Sequence, residues 1–227
     1  MGFQGKRFKE AAKQIESRAY GLEEAVALVP KIASAKFPET VEVAVWLNLD
    51  VKGLQPFRGV LTLPAGTGKN MRVAVFAQGP KAEEAKAAGA DIVGAEDLMK
   101  TVEGGQVDFD VCIATPDMMG IVGRLGRVLG PKGLMPNPKL GTVSMDVAGA
   151  VKAAKGGQIS YKADKAGVVQ AGVGKANFAV KDLQDNVKAF LETVKNARPQ
   201  GVKGTFVKSA HLSTTMGPSI TLNAASI

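Results

Sequence analysis

Two stretches near the ends of the chain alternate apolar and polar residues. Between residues 40 and 49 every odd position is Val or Leu, whereas the even positions carry Thr, Glu, Ala, Trp and Asn. Residues 203–213 repeat the period more weakly, with Phe206, Ala210 and Leu212 on one side and Ser and His on the other. Because successive side chains of a strand point to opposite faces, both stretches are predicted to be strands with one buried and one open face.

Other patterns near the two ends predict helices and a hairpin. Residues 22–32 and 180–197 place apolar side chains on one face at helical spacing, as amphipathic helices do. Residues 158–172 are expected to form a β-hairpin whose turn, at 164–167, ends in Gly167, a residue that can take a positive φ. The terminal segments together predict an α+β domain in which helices cover one side of an antiparallel sheet.

The middle of the chain has a different hydrophobic pattern, in which short apolar runs alternate with residues at helical spacing. We predict strands at residues 71–77, 91–94 and 109–114, and helices at residues 81–88, 96–102, 118–129 and 145–154. This βαβα order is typical of a parallel sheet with helices on its faces. The middle is therefore predicted to be a Rossmann-like, three-layer α/β domain.

Turn-rich segments set the predicted domain boundaries. Residues 63–68 contain Pro and two Gly, residues 155–157 contain two adjacent Gly, and the two segments flank the middle stretch. We expect a discontinuous domain built from both termini, residues 1–68 and 159–227. The α/β domain of residues 69–158 is expected to be inserted into it.

The charge of the chain is positive and unevenly distributed. Its 227 residues include 29 Lys and Arg against 21 Asp and Glu, which gives a formal net charge of +8. Residues 1–68 and 159–227 together carry +7, while residues 69–117 carry −4 and residues 118–158 carry +5. This balance favours an anionic partner, and we expect the terminal domain and the second half of the middle domain to face it.

The residues that disulfides, metals and membranes require are scarce. Cys112 is the only cysteine, it lies in an apolar run, and no Cys/His cluster has the spacing of a metal site. No stretch approaches the ~18 apolar residues of a membrane span. We therefore expect no metal, no cofactor and no membrane contact, and a soluble chain in the reducing cytoplasm.

Candidate catalytic motifs are incomplete. Gly66-Thr67-Gly68-Lys69 lacks the earlier Gly and the following Ser or Thr of a phosphate-binding loop, and it precedes a predicted strand instead of following one. His211, the only histidine, has no acidic neighbour in sequence and is expected to be a surface residue on the polar side of its strand. Two function classes stay open: a non-enzymatic RNA-binding protein, and an enzyme that uses the middle domain for a nucleotide or metabolite.

Three segments have the residue types of an RNA-binding surface. The turn at residues 214–218, Thr-Thr-Met-Gly-Pro, offers hydroxyls to ribose and phosphate and Met216 to pack on a sugar or base, although a plain turn between strands is an equal interpretation. In residues 35–40 a lysine precedes Phe37, which either contacts RNA or covers the sheet edge. Residues 123–139 hold four glycines, three prolines and four cations, which predicts a rigid basic loop suited to phosphate contact.

These motifs closely resemble those of the bacterial ribosomal protein L-one family. The matching strings are Lys-Phe-x-Glu-Thr at 36–40, Gly-Thr-Gly-Lys at 66–69, Gly-Pro-Lys-Gly-Leu-Met-Pro-Asn-Pro-Lys at 130–139 and Thr-Thr-Met-Gly-Pro at 214–218, and the likeness runs through essentially the whole chain. The resemblance implies a component of the large ribosomal subunit whose terminal domain grips ribosomal RNA. It also implies a mobile stalk that helps deacylated tRNA leave the exit site, a repressor that binds its own operon mRNA, and a monomer outside the ribosome.

The expected contact residues fall into two groups. By position in the family motifs, the resemblance implies primary RNA contacts at Lys36, Phe37, Thr40, Glu42, Gly174, Lys175, Ser213, Thr215, Met216 and Gly217. The basic loop of the middle domain is expected to supply a secondary contact with RNA or exit-site tRNA through Arg124, Arg127, Lys132 and Lys139. No catalytic residue is expected in either group.

Overall fold

The chain is described by a computed structural model that covers residues 5–49, 57–199, 202 and 204–223. Internal contacts divide these residues into two compact units. The first contains the described residues up to Gly68 and those from Ile159 onward, and the second is Lys69–Gln158. Each unit has a buried core of its own.

Helices and strands follow one another in both units. In chain order the described elements are α1 (Lys6–Ala12), α2 (Leu22–Ile32), β1 (Thr40–Leu47), β2 (Arg58–Thr62), β3 (Val73–Phe76), α3 (Pro80–Ala87), β4 (Ile92–Gly94), α4 (Glu96–Glu103), β5 (Val111–Ala114), α5 (Met119–Arg124), α6 (Gly126–Leu129), α7 (Val147–Lys155), β6 (Gln158–Lys162), β7 (Val168–Lys175), α8 (Val180–Asn196), β8 (Val207–Thr214) and β9 (Ile220–Leu222). Short 3₁₀ turns occupy Pro116–Met118 and Pro138–Leu140. The expected mixture of helices and sheets is confirmed.

The first unit is built on a four-stranded antiparallel sheet in the order β7, β1, β8, β9. The alternation predicted for β1 is confirmed, since Val41, Val43 and Val45 are fully buried while Glu42 and Trp46 are exposed. The amphipathic helices α2 and α8 pack on the buried face. The opposite face of the sheet carries the polar side chains.

The hairpin expected at residues 158–172 forms only next to its turn, where Ala163 and Val169 make an antiparallel bridge, and its strands separate beyond that point. β6 pairs with β2 in a separate two-stranded sheet, while β7 joins the four-stranded sheet beside β1. The turn between them has the predicted conformation, with a φ of 79° at Gly167. Beyond the turn, Tyr161 of β6 packs its ring over Gly59 of β2, while Tyr161 and Val173 of β7 both contribute to the core of the unit.

Both predicted strands of the first unit are shorter than their patterns. The strand expected from residue 203 begins at Val207, and Lys203 lies outside the described residues. β1 ends at Leu47 because the next hydrogen bonds leave the ladder: the Leu47 N–H donates to Gly167 O and the Asn48 N–H to Phe206 O.

The second unit contains a three-stranded parallel sheet with β3 between β4 and β5. Ala74 and Phe76 of β3 pack with residues of α4, α5 and α6, whereas Val73 and Val75 pack with α3 and α7. Helices therefore cover both faces of this sheet. The uninterrupted apolar sequence of β3 is typical of such a strand, because a central parallel strand is buried on both sides.

The single helix predicted at residues 118–129 is broken in two. A 3₁₀ turn leads into α5, which ends at Arg124, and α6 begins at Gly126 after the intervening Leu125. Four glycines lie between residues 120 and 130, and each costs a helix roughly 1 kcal/mol relative to alanine. The helical pattern is therefore confirmed only in part, because the backbone does not sustain one continuous helix.

Candidate nucleic-acid interface

Glu39, immediately before β1, is a buried carboxylate that connects two segments of the first unit. The residue is only 1% exposed. Its Oε1 accepts a hydrogen bond from the Ala35 N–H at 2.8 Å, and its Oε2 accepts one from the Met216 N–H at 3.0 Å. The loop before β1 and the turn after β8 are therefore fixed to one side chain.

The protonation state of Glu39 follows from these contacts. Burial alone would raise the pKa of this carboxyl group, but interactions with the Met216 amide, the Thr214 hydroxyl and the amides of Ala35 and Ser34 together outweigh burial and hold the pKa below its ordinary value. The group is consequently ionised at neutral pH. Because a carboxylate accepts stronger hydrogen bonds than a neutral oxygen, both segments are held firmly.

Sequence reasoning did not assign Glu39 to the site, although its position carried a signal. Glu39 shares the odd-numbered parity of Val41 and Val43, so the alternation of β1 extends to a carboxylate on the buried side. A buried carboxylate needs hydrogen-bond donors. The two backbone amides of the adjoining segments supply them.

Thr40 and Thr215 close the β1–β8 pair at this end of the sheet. The Thr215 N–H donates to Thr40 O at 3.1 Å, and the Thr40 N–H donates to the Thr215 hydroxyl at 2.9 Å. Lys175, the last residue of β7, donates from Nζ to Thr40 Oγ1 at 2.9 Å. The polar groups of these three residues thus bind one another, and the Thr215 hydroxyl positions the turn that follows it.

The side chains that project from this end of the sheet are Lys36, Phe37 and Met216. Phe37 is 51% exposed and Met216 is 47% exposed, which is unusual for such large apolar groups. Lys36 is exposed, and its ammonium group has no hydrogen bond or ion pair with any residue that the structure describes. A cation, an aromatic ring and a thioether therefore lie on segments that Glu39 holds together, and RNA-binding proteins use these groups for phosphates and unstacked bases.

Glu42 and Ser213 continue the site along the open face of the sheet. They lie opposite each other in the β1–β8 pair, and Gly172 of β7 lies opposite Glu42 on the other side. Glu42 is exposed and Ser213 is half-buried. A carboxylate beside a hydroxyl can accept hydrogen bonds from a ribose 2′-OH or a base amino group, which adds selectivity to a basic surface.

Two glycines of the predicted site have different roles. Gly174 is buried: a Cβ atom there would lie 2.8 Å from Cδ2 of Leu183 in α8, so this glycine permits close helix–sheet packing, and its contact with RNA stays a prediction. Gly217 lies in the turn after β8, where a Cβ atom would overlap the hydroxyl oxygen of Thr214. The other predicted primary contacts share this end of the sheet, and we call them the strand-end surface: Lys36, Phe37, Thr40, Glu42, Lys175, Ser213, Thr215, Met216 and Gly217.

Asn186 of α8 is a second buried polar residue that sequence reasoning missed. Its Nδ2 donates to Val173 O at 2.7 Å and to Gly66 O at 2.9 Å, and its Oδ1 accepts from the Ala65 N–H at 3.0 Å. These bonds attach Ala65 and Gly66, which lie just before the second unit begins, to Val173 of β7. The signal was a polar residue on the apolar face of an amphipathic helix, three positions after Leu183.

The four cations expected to form the secondary contact are all exposed on the second unit. Arg124 ends α5, Arg127 lies in α6, Lys132 lies in the turn that follows, and Lys139 lies in the 3₁₀ turn Pro138–Leu140. None of the four forms an ion pair with another described residue. Their charge is available to an anionic partner.

The described ranges contain no cluster of metal-ligating side chains, and their one cysteine is buried. Cys112 is buried in β5, and burial raises the pKa of its thiol to about 12, so the thiol stays protonated at neutral pH. Within the same ranges, no three His, Cys, Asp or Glu side chains are grouped so that they could hold a metal ion. No described helix combines the length and apolar character needed to span a membrane.

Comparison with protein families identifies a related group. The model of the Ribosomal protein L1p/L10e family matches residues 29–218. The matched range contains the whole second unit, the strand-end surface and the four exposed cations of the secondary contact.

Proposed function

Because the chain belongs to the ribosomal protein L1p/L10e family, we propose that it grips large-subunit ribosomal RNA with the strand-end surface. Family membership makes the chain a protein of the large ribosomal subunit that binds ribosomal RNA on the ribosome in the cytoplasm. The family consists of structural ribosomal proteins and not of enzymes. The alternative of a nucleotide- or metabolite-using enzyme gains no support from the family match.

One observation carries the location of this contact: a single ionised carboxylate holds the two segments that bear Phe37 and Met216. Glu39 accepts one amide from each segment, and both side chains remain about half exposed. A surface that is already ordered loses less conformational entropy when it binds. The arrangement therefore suits a rigid binding surface better than it suits a plain turn.

Electrostatics supports the same assignment. The first unit carries the net charge of +7, which attracts a polyanion over distances of about a Debye length, ~8 Å at physiological ionic strength. At the surface itself, Lys36 adds a cation that forms no ion pair with any described residue. The unit thus combines long-range attraction with the short-range groups of Phe37, Glu42 and Met216.

We further propose that the second unit contacts exit-site tRNA through Arg124, Arg127, Lys132 and Lys139, as part of a mobile stalk that assists release of deacylated tRNA. The concentration of positive charge in residues 118–158 supports this division. Neutralising all four cations should weaken the association of tRNA with large subunits more than it weakens binding of the protein to isolated ribosomal RNA. Equal losses of affinity in the two assays would contradict the proposal that the second unit contacts tRNA while the first unit binds ribosomal RNA.

The same surface provides a basis for regulation. An RNA segment of the protein's own operon that presents the shape of the ribosomal site would bind the strand-end surface, and the protein would thereby repress its own translation. In this proposal the free protein is a monomer. Its units act as two domains, a discontinuous RNA-binding domain of residues 1–68 and 159–227 and an inserted Rossmann-like domain of residues 69–158.

The salt dependence of binding tests the location of the RNA contact. For Lys36→Gln, the slope of log affinity for large-subunit ribosomal RNA against log salt should fall by somewhat less than one unit, because one phosphate contact is lost. Lys188→Gln is the matched control, since Lys188 is an exposed lysine of α8, which packs on the opposite face of the sheet. Equal slopes for the two variants would contradict the proposed contact.

A further inference from the structure

Trp46 is an exposed aromatic residue on the open face of the four-stranded sheet, six residues along β1 from Thr40. It is the only tryptophan of the chain, and it is 47% exposed. Six residues of a strand span about 20 Å. Trp46 therefore lies beyond the strand-end surface but on the same face of the sheet.

The surroundings of Trp46 are polar and carry positive charge. The Lys208 ammonium lies 4.8 Å from the centroid of the indole ring, in a cation–π contact. Ser209 of β8 is directly opposite Trp46, and His211, the next residue on the same face of β8, is opposite Ala44. The indole is thus a flat apolar group beside one cation and close to hydrogen-bonding side chains.

This composition matches a nucleic-acid base better than a protein surface. The apolar centre of a protein–protein interface is a cluster of large side chains, whereas β7 and β8 place Val168, Gln170, Ser209 and His211 around Trp46. Stacking of an unpaired base needs only one aromatic ring, with cations nearby for the phosphates. Sheet faces that carry aromatic residues are a recurrent platform for single-stranded RNA.

We propose that the sheet face around Trp46 is a second RNA contact, at which an unpaired base of the bound ribosomal RNA stacks on the indole ring and Lys208 neutralises phosphate. This assignment rests on the proposed function, because it continues the strand-end surface along the same open face through Glu42 and Ser213. It adds a position-specific aromatic contact that lies outside the motifs of that surface.

The single tryptophan provides a direct test with the intact protein. Full-length large-subunit ribosomal RNA is titrated into the wild-type chain while tryptophan fluorescence and binding are measured together. We expect the fluorescence to be quenched in parallel with binding, because a stacked base quenches indole emission. Unchanged fluorescence at saturation would overturn the proposal without any substitution.

Two substitutions separate stacking from general packing. Trp46→Leu should raise Kd roughly 5- to 150-fold, the range that base–aromatic stacking supplies, whereas Trp46→Phe should retain most of the affinity. Both variants should fold, because about half of the Trp46 side chain is exposed, and circular dichroism would verify this. A Kd for Trp46→Leu within twofold of wild type, or equal losses for Leu and Phe, would overturn the proposal.

Met216→Asp distinguishes failure of this inference from failure of the proposed function. If Met216→Asp loses affinity while Trp46 fluorescence and Trp46→Leu affinity stay unchanged, the strand-end surface stands and the second contact is rejected. If Met216→Asp binds normally while the Trp46 readouts change as expected, the second contact stands and the strand-end surface is wrong.

Discussion

Oε2 of Glu39 accepts the backbone N–H of Met216 at 3.0 Å, although the two residues are 177 positions apart in sequence. The bond fixes the turn after β8 to the loop before β1, and Oε1 of the same side chain completes the connection through the Ala35 N–H. The shape of the proposed RNA surface therefore depends on a residue that is itself almost inaccessible to RNA.

We expect Glu39→Gln to destabilise the protein and to weaken RNA binding together. An amide side chain presents one oxygen and one NH₂ group, so one of the two backbone amides loses its acceptor and faces another donor. Leaving a buried donor unsatisfied costs about 1–3 kcal/mol, which urea unfolding at neutral pH would measure. Retained stability with normal RNA affinity would show that the carboxylate does not organise the site.

The pH dependence of stability gives an independent check on Glu39. Its pKa is lower in the folded chain than in the unfolded chain, so its contribution to stability is complete above the unfolded value of about 4.3 and is lost as pH falls through the folded value. The difference in unfolding free energy between wild type and Glu39→Gln should therefore be constant near neutral pH and shrink below about pH 4.3. A difference that grows on acidification would contradict this sign.

Gly217→Ala should disturb the turn after β8, because the added Cβ atom overlaps the hydroxyl oxygen of Thr214. Overpacking of this kind typically costs 1–3 kcal/mol. Thr214 is buried, and its hydroxyl helps to hold the pKa of the Glu39 carboxyl group low, so Thr214→Ala should relieve the overlap and at the same time remove that contribution to Glu39. A double-mutant cycle on thermal stability and RNA affinity measures the coupling; strictly additive effects would rule out the steric explanation.

Asn186 should be essential for holding Ala65 and Gly66 against β7. Asn186→Ala removes three hydrogen bonds and leaves the Ala65 N–H and two carbonyl groups without this partner, so we expect a loss of about 2–3 kcal/mol in unfolding free energy. Asn186→Asp keeps the acceptor but turns a carboxylate toward the Gly66 and Val173 carbonyl oxygens. Its stability should therefore rise as pH is lowered and the carboxyl group protonates, a trend that the Ala variant should lack.

The sequence allowed some parts of this surface to be predicted and concealed others for identifiable physical reasons. Alternation in β1 was visible because one face of the sheet is buried. The packing role of Gly174 could not be predicted, because the β1–β7 pair shifts register between Val41 and Glu42. Such a bulge reverses the side on which the following residues lie, and the sequence of β7 carries no signal for it.

Strand pairing shows the same limit. The turn at Gly167 was recognisable from local residue types, but the partners of β6 and β7 are decided by packing between distant segments, such as Tyr161 over Gly59. Glu39 and Asn186 were predictable only in part. Each is a polar residue in an apolar pattern, which indicates a buried hydrogen-bonding role without revealing its partners.

The affinity of two methionine variants for large-subunit ribosomal RNA tests the central claim most directly. Met216 and Met145 are both exposed, at 47% and 60%, but Met216 lies on the strand-end surface and Met145 lies on the second unit. Both Asp variants should fold, as circular dichroism would verify. At one salt concentration, Met216→Asp should lose roughly 30-fold or more in affinity, as at a binding hot spot, while Met145→Asp should bind within twofold of wild type. Normal binding by Met216→Asp, or an equal loss in Met145→Asp, would contradict an RNA contact at the strand-end surface.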